Sequence, residues 1–117
     1  MNPDTYVRTL YGHVDHRDAQ ALGELLADDV TFQLGNAEPT HGREAVIAGN
    51  ASFFESVAGM AHTIDNVWST GHHIICEGTV TYTRHDQTQT SARFATVLGL
   101  EGDLISDYKV YADISQL

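Results

Sequence analysis

The fold of this chain is decided by residues 74–84, which read IICEGTVTYTR. The segment is rich in β-branched and aromatic residues and is followed by the turn-like HDQTQ, which predicts a long central strand. Its even-numbered residues from Ile74 to Tyr82 are apolar or small, whereas Glu77 and three threonines have odd numbers and point to the opposite face. One face of this strand is therefore predicted to be buried, and the other to be half polar.

Three helices are predicted before this strand. Apolar residues recur at helical spacing after Pro3, and Asp18 is expected to cap a second helix that runs to Ala27. A third helix is predicted over 43–57, with one stripe formed by Val46, Ile47, Asn50, Phe53, Phe54 and Val57. Between the second and third helices we expect a short strand over 30–34 and a loop with the sequence GNAEPTHG.

The second half of the chain is predicted to be a meander of strands over 61–69, 74–84, 91–100 and 104–114. The connections STGHH, HDQTQ and EGD are short enough to join antiparallel neighbours. The predicted fold is therefore a single α+β domain over 1–117, with a curved, mainly antiparallel sheet wrapped around the three helices.

The composition argues against several classes of partner. Six basic and sixteen acidic residues give a net charge of −10, which repels nucleic acid and anionic lipid. The N-terminal residues do not resemble a secretion signal, and no apolar run has the ~20 residues of a membrane span. The single cysteine, Cys76, can form no internal disulfide. We therefore expect a cytoplasmic protein that binds neither nucleic acid nor membranes.

A period of two along the strands predicts which residues face the helices. They are Phe32, Leu34, His62, Ile64, Asn66, Trp68, Gly78, Val80, Tyr82, Phe94, Thr96, Leu98, Tyr108 and Val110. Apolar walls that carry a few polar groups are typical of a small-molecule pocket, so we predict a cavity at this face. The alternative is an ordinary core in which Tyr82, Tyr108 and His62 have satisfied polar tips.

The opposite face of the sheet is predicted to carry Thr79, Thr81, Thr83, Val97, Lys109 and Tyr111. Threonines and aromatic residues on a sheet face suit a symmetric homodimer contact. A solvated β surface has the same pattern, so the residues alone leave both interpretations open.

Five segments resemble the SnoaL-like group of the nuclear-transport-factor-2-like superfamily. They are DAQALGELLADDVTF (18–32), HGREAVIA (41–48), HTIDNVW (62–68), GTVTYTRHD (78–86) and ISDYKVYAD (105–113). The resemblance implies a cone-shaped half-barrel that commonly dimerises through its open sheet face. The superfamily includes ketosteroid isomerases, limonene epoxide hydrolases, polyketide cyclases, dehydratases and non-catalytic binding domains, so it implies a fold more strongly than a reaction.

The catalytic positions of two of these enzymes do not carry over. Where a ketosteroid isomerase has its base this chain has Leu34, and the places of its oxyanion donors hold Leu10, with Tyr11 one residue away, and Thr96. The polar groups of a limonene epoxide hydrolase are replaced by Phe32, Leu34, Gly78, Val80 and Val110. Neither activity is expected here.

Three residues remain as candidates for catalysis. His62 is the candidate acid or base because histidine titrates near neutrality, and Tyr82 and Tyr108 are candidate donors to a ligand oxygen. Arg84 is predicted to hold an anionic oxygen at the pocket mouth, or alternatively to pair with Asp86 at the strand end. The predicted ligand-binding residues are Tyr11, Phe32, Leu34, Trp68, Val80, Arg84, Phe94, Thr96, Leu98 and Val110.

No cofactor is implied by these residues. His13 and His16 are close on one helical face, but nothing in the sequence supplies a third and fourth ligand in a known metal-binding pattern. The predicted function is binding of a hydrophobic, cyclic small molecule, with isomerisation, cyclisation or dehydration as the candidate reactions. The alternative is a non-catalytic module for ligand binding or homodimerisation.

Overall fold

The structure, a computed structural model, describes residues 1–117 as three helices and six strands. In chain order they are α1 (Pro3–Asp15), α2 (Ala19–Gly23), β1 (Leu26–Leu34), β2 (Thr40–His41), α3 (Arg43–Glu55), β3 (Gly59–Thr70), β4 (His73–Thr83), β5 (Gln89–Glu101) and β6 (Leu104–Ala112). The α+β class predicted from the sequence is confirmed.

One six-stranded sheet has the order β2-β1-β6-β5-β4-β3. Strands β3 to β6 form the predicted antiparallel meander, and β1 joins the sheet by pairing in parallel with β6. Because α1 packs against β3 and α3 against β1, the helices fill the concave side of this curved, unclosed sheet. The result is a cone-shaped half-barrel.

The sequence of helix α1 accounts for where the helix begins and for which side chains it buries. The side chain of Asn2 accepts a hydrogen bond from the Thr5 N–H, and Pro3 stands in the first turn, where no helical N–H partner is needed. The residues at the predicted helical spacing are those that the helix buries, namely Val7, Leu10, Tyr11 and Val14. Burial of this stripe against β3 fixes the helix over one side of the sheet.

Helix α2 is shorter than predicted. Asp18 caps it by accepting from the Ala21 N–H, as expected, but the helix ends at Gly23 rather than at Ala27. Residues from Leu26 onward belong to β1, because Leu26 pairs with Ile105 of β6. Inter-strand hydrogen bonding here outweighs the local preference of leucine and alanine for a helix.

The segment predicted as a loop after β1 contains a short strand. Thr40 and His41 form β2, which pairs with Phe32 and Thr31 and adds an edge to the sheet. Two residues are too few for a periodic pattern, so the alternation used for the other strands does not detect this one.

Strand β3 contains a β-bulge between Ile64 and Asn66 that changes which residues face the helices. Before the bulge His62 is opposite Val80, and after it Val67 is opposite Cys76, so the extra residue reverses the alternation. Trp68 therefore lies on the outer face and is 51% exposed. The inward placements of Asn66 and Trp68, and with them the assignment of Trp68 to the pocket, are wrong.

Gly78 stands opposite this bulge. A Cβ atom at Gly78 would collide with the carbonyl oxygen of Thr63, so only glycine permits this approach of the two backbones. The helix-facing side of the sheet otherwise forms a single hydrophobic core with the helices.

None of the three helices combines the length and the apolar composition that a membrane-spanning helix needs.

Candidate active-site cavity

A cavity of about 200 Å³ lies between the concave face of the sheet and helices α1 and α3. Most of its lining is apolar, and aromatic rings come from both the sheet and the helices. The volume is below the ~300–1,000 Å³ of pockets for drug-sized ligands. A compound with a single ring therefore fits this space better than a fused multi-ring system.

Seven of the predicted site residues line the cavity. They are Tyr11, Phe32, Leu34, His62, Tyr82, Tyr108 and Val110. The cavity is not lined by Val80, Phe94, Thr96 and Leu98, which are almost fully buried in the hydrophobic core around it. These four residues pack behind the cavity walls. The open space itself is bordered by β1, β6 and the ends of β3 and β4, because the sheet is curved.

Arg84 lies outside the cavity at the end of β4. Its guanidinium donates to the backbone oxygen of Gln116 at 2.6 Å and to Oγ1 of Thr88 at 3.1 Å. Asp86 accepts from the N–H and the hydroxyl of Thr88, and these bonds hold the pKa of the Asp86 carboxyl below its usual value. Both residues therefore organise the β4–β5 turn and the C-terminal segment.

His62 is held by a carboxylate from α1. Asp15 Oδ1 is 2.6 Å from His62 Nδ1, and Asp15 Oδ2 accepts from the His62 backbone N–H at 2.9 Å. Because a carboxylate only accepts hydrogen bonds, the imidazole proton must lie on Nδ1. This arrangement leaves Nε2 with no partner in the chain, so it is available as an acceptor toward the cavity.

The His62 ring is also fixed by packing. Its centroid is 4.4 Å from that of Tyr11 and 5.1 Å from that of Phe94, and the Phe94 contact is edge-to-face. The side chain is only 7% exposed, and Asp15 is 27% exposed on the outer side of the pair. The imidazole is thus confined to one orientation, a condition for efficient proton transfer.

Three hydroxyl groups form a chain behind the histidine. The Tyr11 hydroxyl is hydrogen-bonded to Thr96 Oγ1 at 2.5 Å, and the Tyr108 hydroxyl lies near it. Burial raises the pKa of both the Tyr11 and Tyr108 phenols well above the usual tyrosine value. They therefore remain protonated and act as hydrogen-bond donors and acceptors rather than as bases.

Tyr82 is the tyrosine whose hydroxyl is unengaged at the cavity. The residue is 5% exposed, and its hydroxyl makes no hydrogen bond within the chain. Burial, with a smaller contribution from the negative charge of Asp15, raises the pKa of this phenol. Tyr82 is therefore a neutral donor next to the Asp15–His62 pair.

The structure adds three polar groups that the site predicted from the sequence did not include: Asp15, Asn50 and Glu38. Asp15 was not identified because it lies 47 residues from His62 in the chain, and no local pattern joins them. Asn50 belongs to the predicted apolar stripe of α3, where a lone amide among apolar residues was a usable signal. Glu38, exposed in the β1–β2 connection, is the carboxylate at the cavity mouth.

No three histidine, cysteine or acidic side chains converge closely enough to share a metal ion.

A cone-shaped α+β half-barrel with a lined cavity defines a class of small-molecule-binding folds. Within it, the chain belongs to the SnoaL-like domain family, whose model matches residues 7–108. No protein of curated function matches the sequence significantly.

Solved structures of similar proteins share the fold. A hypothetical protein from Catenulispora acidiphila with a ketosteroid isomerase-like fold, in complex with trimethylamine, is 22% identical, with a TM-score of 0.86 over 94% of this chain and 86% of that one. A nuclear-transport-factor-2-like protein of unknown function from Burkholderia pseudomallei is also 22% identical, with a TM-score of 0.87 over 99% and 94% of the two chains.

A third similar structure is a candidate SnoaL-like polyketide cyclase from Shewanella denitrificans. It is 14% identical, with a TM-score of 0.82 over 97% of this chain and 91% of that one. At these identities the comparisons show the fold alone.

Proposed function

We propose that this protein binds a small, mainly apolar ring compound in its cavity and catalyses a cofactor-independent proton transfer on it. The observation that carries the proposal is the Asp15–His62 pair, which leaves a fixed imidazole nitrogen free at an apolar, enclosed surface. Isomerisation, cyclisation and dehydration all require a group that removes a proton from carbon. His62 is the lining side chain whose free ring nitrogen is held in a fixed position for this task.

Isomerisation gives the simplest sequence of steps. Nε2 of His62 takes a proton from a carbon next to a ligand carbonyl, and the C–H electron pair becomes the double bond of an enolate. Tyr82 donates a hydrogen bond to the enolate oxygen, and the negative charge of Asp15 stabilises the imidazolium. The proton on Nε2 can exchange with solvent while the enolate is bound, and delivery of a proton from the imidazolium to a different carbon completes the isomerisation and regenerates neutral His62.

The walls of the cavity support this chemistry. Phe32 and Tyr108 pack edge-to-face with centroids 4.9 Å apart, and Phe53 and Tyr82 do so at 6.0 Å. Aromatic walls bind a flat ring and exclude water, which strengthens each hydrogen bond to a developing charge. The family also favours such a role, because the fold of SnoaL-like domains often binds hydrophobic molecules or carries cyclase and isomerase reactions.

The test is proton exchange with solvent. The protein is incubated in deuterated buffer with cyclohex-3-enone and related small cyclic ketones, and deuterium incorporation and isomerisation are followed by NMR. We expect catalysed exchange that His62→Gln abolishes and His72→Gln leaves unchanged, since His72 is an exposed histidine away from the cavity. Ligand binding without exchange in the wild-type protein would instead support a non-catalytic binding module.

We also propose a homodimer formed through the outer sheet face. Trp68, Ile75, Val97 and Lys109 form one cross-strand row there, and Tyr111, 56% exposed, lies in the adjacent row. A large exposed tryptophan among aliphatic neighbours is the composition found at the centre of protein interfaces.

The single thiol of Cys76 is free and buried, which supports a reducing location such as the cytoplasm.

A further inference from the structure

Asn50 is a buried amide that the proton-transfer machinery does not use. It lies on the face of α3 that lines the cavity and is 8% exposed. Its Nδ2 donates one hydrogen bond, at 2.9 Å, to the backbone oxygen of Val46 one turn earlier in the helix. This contact fixes which end of the amide is nitrogen, because a carbonyl oxygen can only accept.

That assignment leaves Oδ1 of Asn50 without a donor in the chain. One N–H of the same amide is also free. This oxygen is not sealed in the core, because every fully buried side-chain nitrogen or oxygen of the chain has a partner; it opens onto the accessible space of the cavity. An acceptor with no donor from the chain that opens onto a cavity is placed to bind a donor on a ligand.

We propose that Asn50 determines the specificity of the cavity by binding a hydroxyl or N–H group of an uncharged single-ring ligand. The inference rests on the proposed function, because it concerns the substrate of the same cavity. Asn50 provides a second binding contact, on α3. One polar group of the ring binds Asn50, and another part of the ring contacts His62 and Tyr82.

Charge gives an independent reason for an uncharged ligand. No lysine or arginine lines the cavity. Several of the basic side chains are occupied elsewhere, Arg17 by the backbone oxygen of Val57 and Lys109 by Asp107. Glu38 lines the cavity and Asp15 is bonded to the lining residue His62, so a carboxylate ligand would lose its hydration and gain no cationic partner. An acceptor-only anion would also leave Oδ1 of Asn50 unpaired.

Three probes of one ring test this inference: phenol, toluene and benzoate. Toluene replaces the hydroxyl of phenol with a methyl group of similar size, and benzoate supplies a charged acceptor. Binding is measured by NMR titration of the wild-type protein, of Asn50→Leu and of the control Asn66→Leu. Asn66 is an exposed amide that donates to Glu77, so its replacement leaves the cavity intact.

We expect the wild-type and Asn66→Leu proteins to bind phenol about tenfold more tightly than toluene, and benzoate least of all. Asn50→Leu should lose most of this preference for phenol over toluene, and any remainder is due to the other free polar groups of the cavity, on His62 and Tyr82. Equal binding of phenol and toluene by the wild-type protein, or tight binding of benzoate, would overturn the specificity assigned to Asn50 while leaving a ligand cavity in place. Failure of all three probes to bind would overturn the cavity on which the proposed function depends, and the inference with it.

A second readout covers the case in which Asn50→Leu does not fold. The side-chain amide resonances of Asn50 in the wild-type protein should shift on addition of phenol and stay unchanged with toluene. Identical responses to the two probes would contradict the proposed contact.

Discussion

Asp15 and His62 are joined twice, once through the imidazole Nδ1 at 2.6 Å and once through the backbone N–H at 2.9 Å. The two oxygens of one carboxylate thus fix both the ring and the start of β3 relative to the end of α1. Loss of this carboxylate should affect both the chemistry of His62 and the docking of the helix.

Asp15→Asn should therefore reduce proton-exchange activity by about 100-fold or more, because an amide no longer selects the Nδ1–H tautomer. It should also lower the free energy of unfolding by about 1–3 kcal/mol through the loss of charge-assisted hydrogen bonds. Deuterium exchange and urea denaturation measure the two effects. Asp18→Asn is the control, because it keeps its capping oxygen and should preserve activity. Unchanged deuterium exchange in Asp15→Asn would exclude Asp15 from the mechanism.

The Tyr11–Thr96 hydrogen bond should appear as a coupling energy. Tyr11→Phe leaves Thr96 Oγ1 without this partner, and Thr96→Val does the same to the Tyr11 hydroxyl, so each change should cost about 1–2 kcal/mol. The double variant should cost about 0.5–2 kcal/mol less than the sum of the two single changes. Strict additivity in a denaturation cycle would show that the two hydroxyls are not energetically linked.

Stability should decline in alkaline solution. Burial raises the pKa of Tyr6 from 10.0 to about 12 and that of Cys76 from 9.0 to about 11, and the Tyr11, Tyr82 and Tyr108 phenols shift in the same direction. The native state therefore holds protons that the unfolded chain releases above pH ~9, so the free energy of unfolding falls as the pH rises.

Urea denaturation between pH 8 and pH 11 checks this decline. Each linked group contributes up to ~1.4 kcal/mol per pH unit between its unfolded and native pKa values. Tyrosinate absorbance from the three buried phenols, Tyr11, Tyr82 and Tyr108, should appear together with unfolding rather than before it. A flat stability profile across this range would contradict the burial of the phenols.

The bulge in β3 makes Gly78 sensitive to a single added methyl group. Gly78→Ala should destabilise the protein by about 1–3 kcal/mol or more, because its Cβ would displace the backbone at Thr63. Gly12→Ala is the matched control, since a Cβ in that part of α1 has no neighbour within 4 Å. The control should stabilise the protein by about 0.5–1 kcal/mol; equal effects in thermal melts would argue against the tight approach at Gly78.

Trp68 should report on the proposed dimer. Trp68→Lys places a charge at the centre of the outer face and should convert a dimer to a monomer in analytical ultracentrifugation, with little effect on the melting temperature of the domain. Leu104→Lys alters an exposed apolar residue too and serves as the control. A wild-type protein that sediments as a monomer at high micromolar concentration would exclude this interface.

The sequence predicts the fold well because its strands alternate and its first helix has a full apolar stripe. Residues 74–84 differ by one position at each end from the observed β4, and the helix after Pro3 buries the expected side chains. The short elements α2 and β2 were harder to predict, because they depend on partners that are distant in the chain. The candidate site was only partly predictable, because Asp15 reaches His62 through tertiary packing and Trp68 leaves the inner face through one unpaired residue.

That extra residue, Asp65, divides β3 into two halves with opposite orientations. His62 and Trp68 are six residues apart and would share one side of a regular strand, yet one faces the cavity and the other faces outward. Deleting Asp65 would remove the bulge and leave Val67 opposite Cys76 and Trp68 opposite Ile75, so both side chains would keep their present faces. The extra residue therefore changes which sequence positions fall on each face of β3, and it bends the strand locally, without moving the later side chains to the other face.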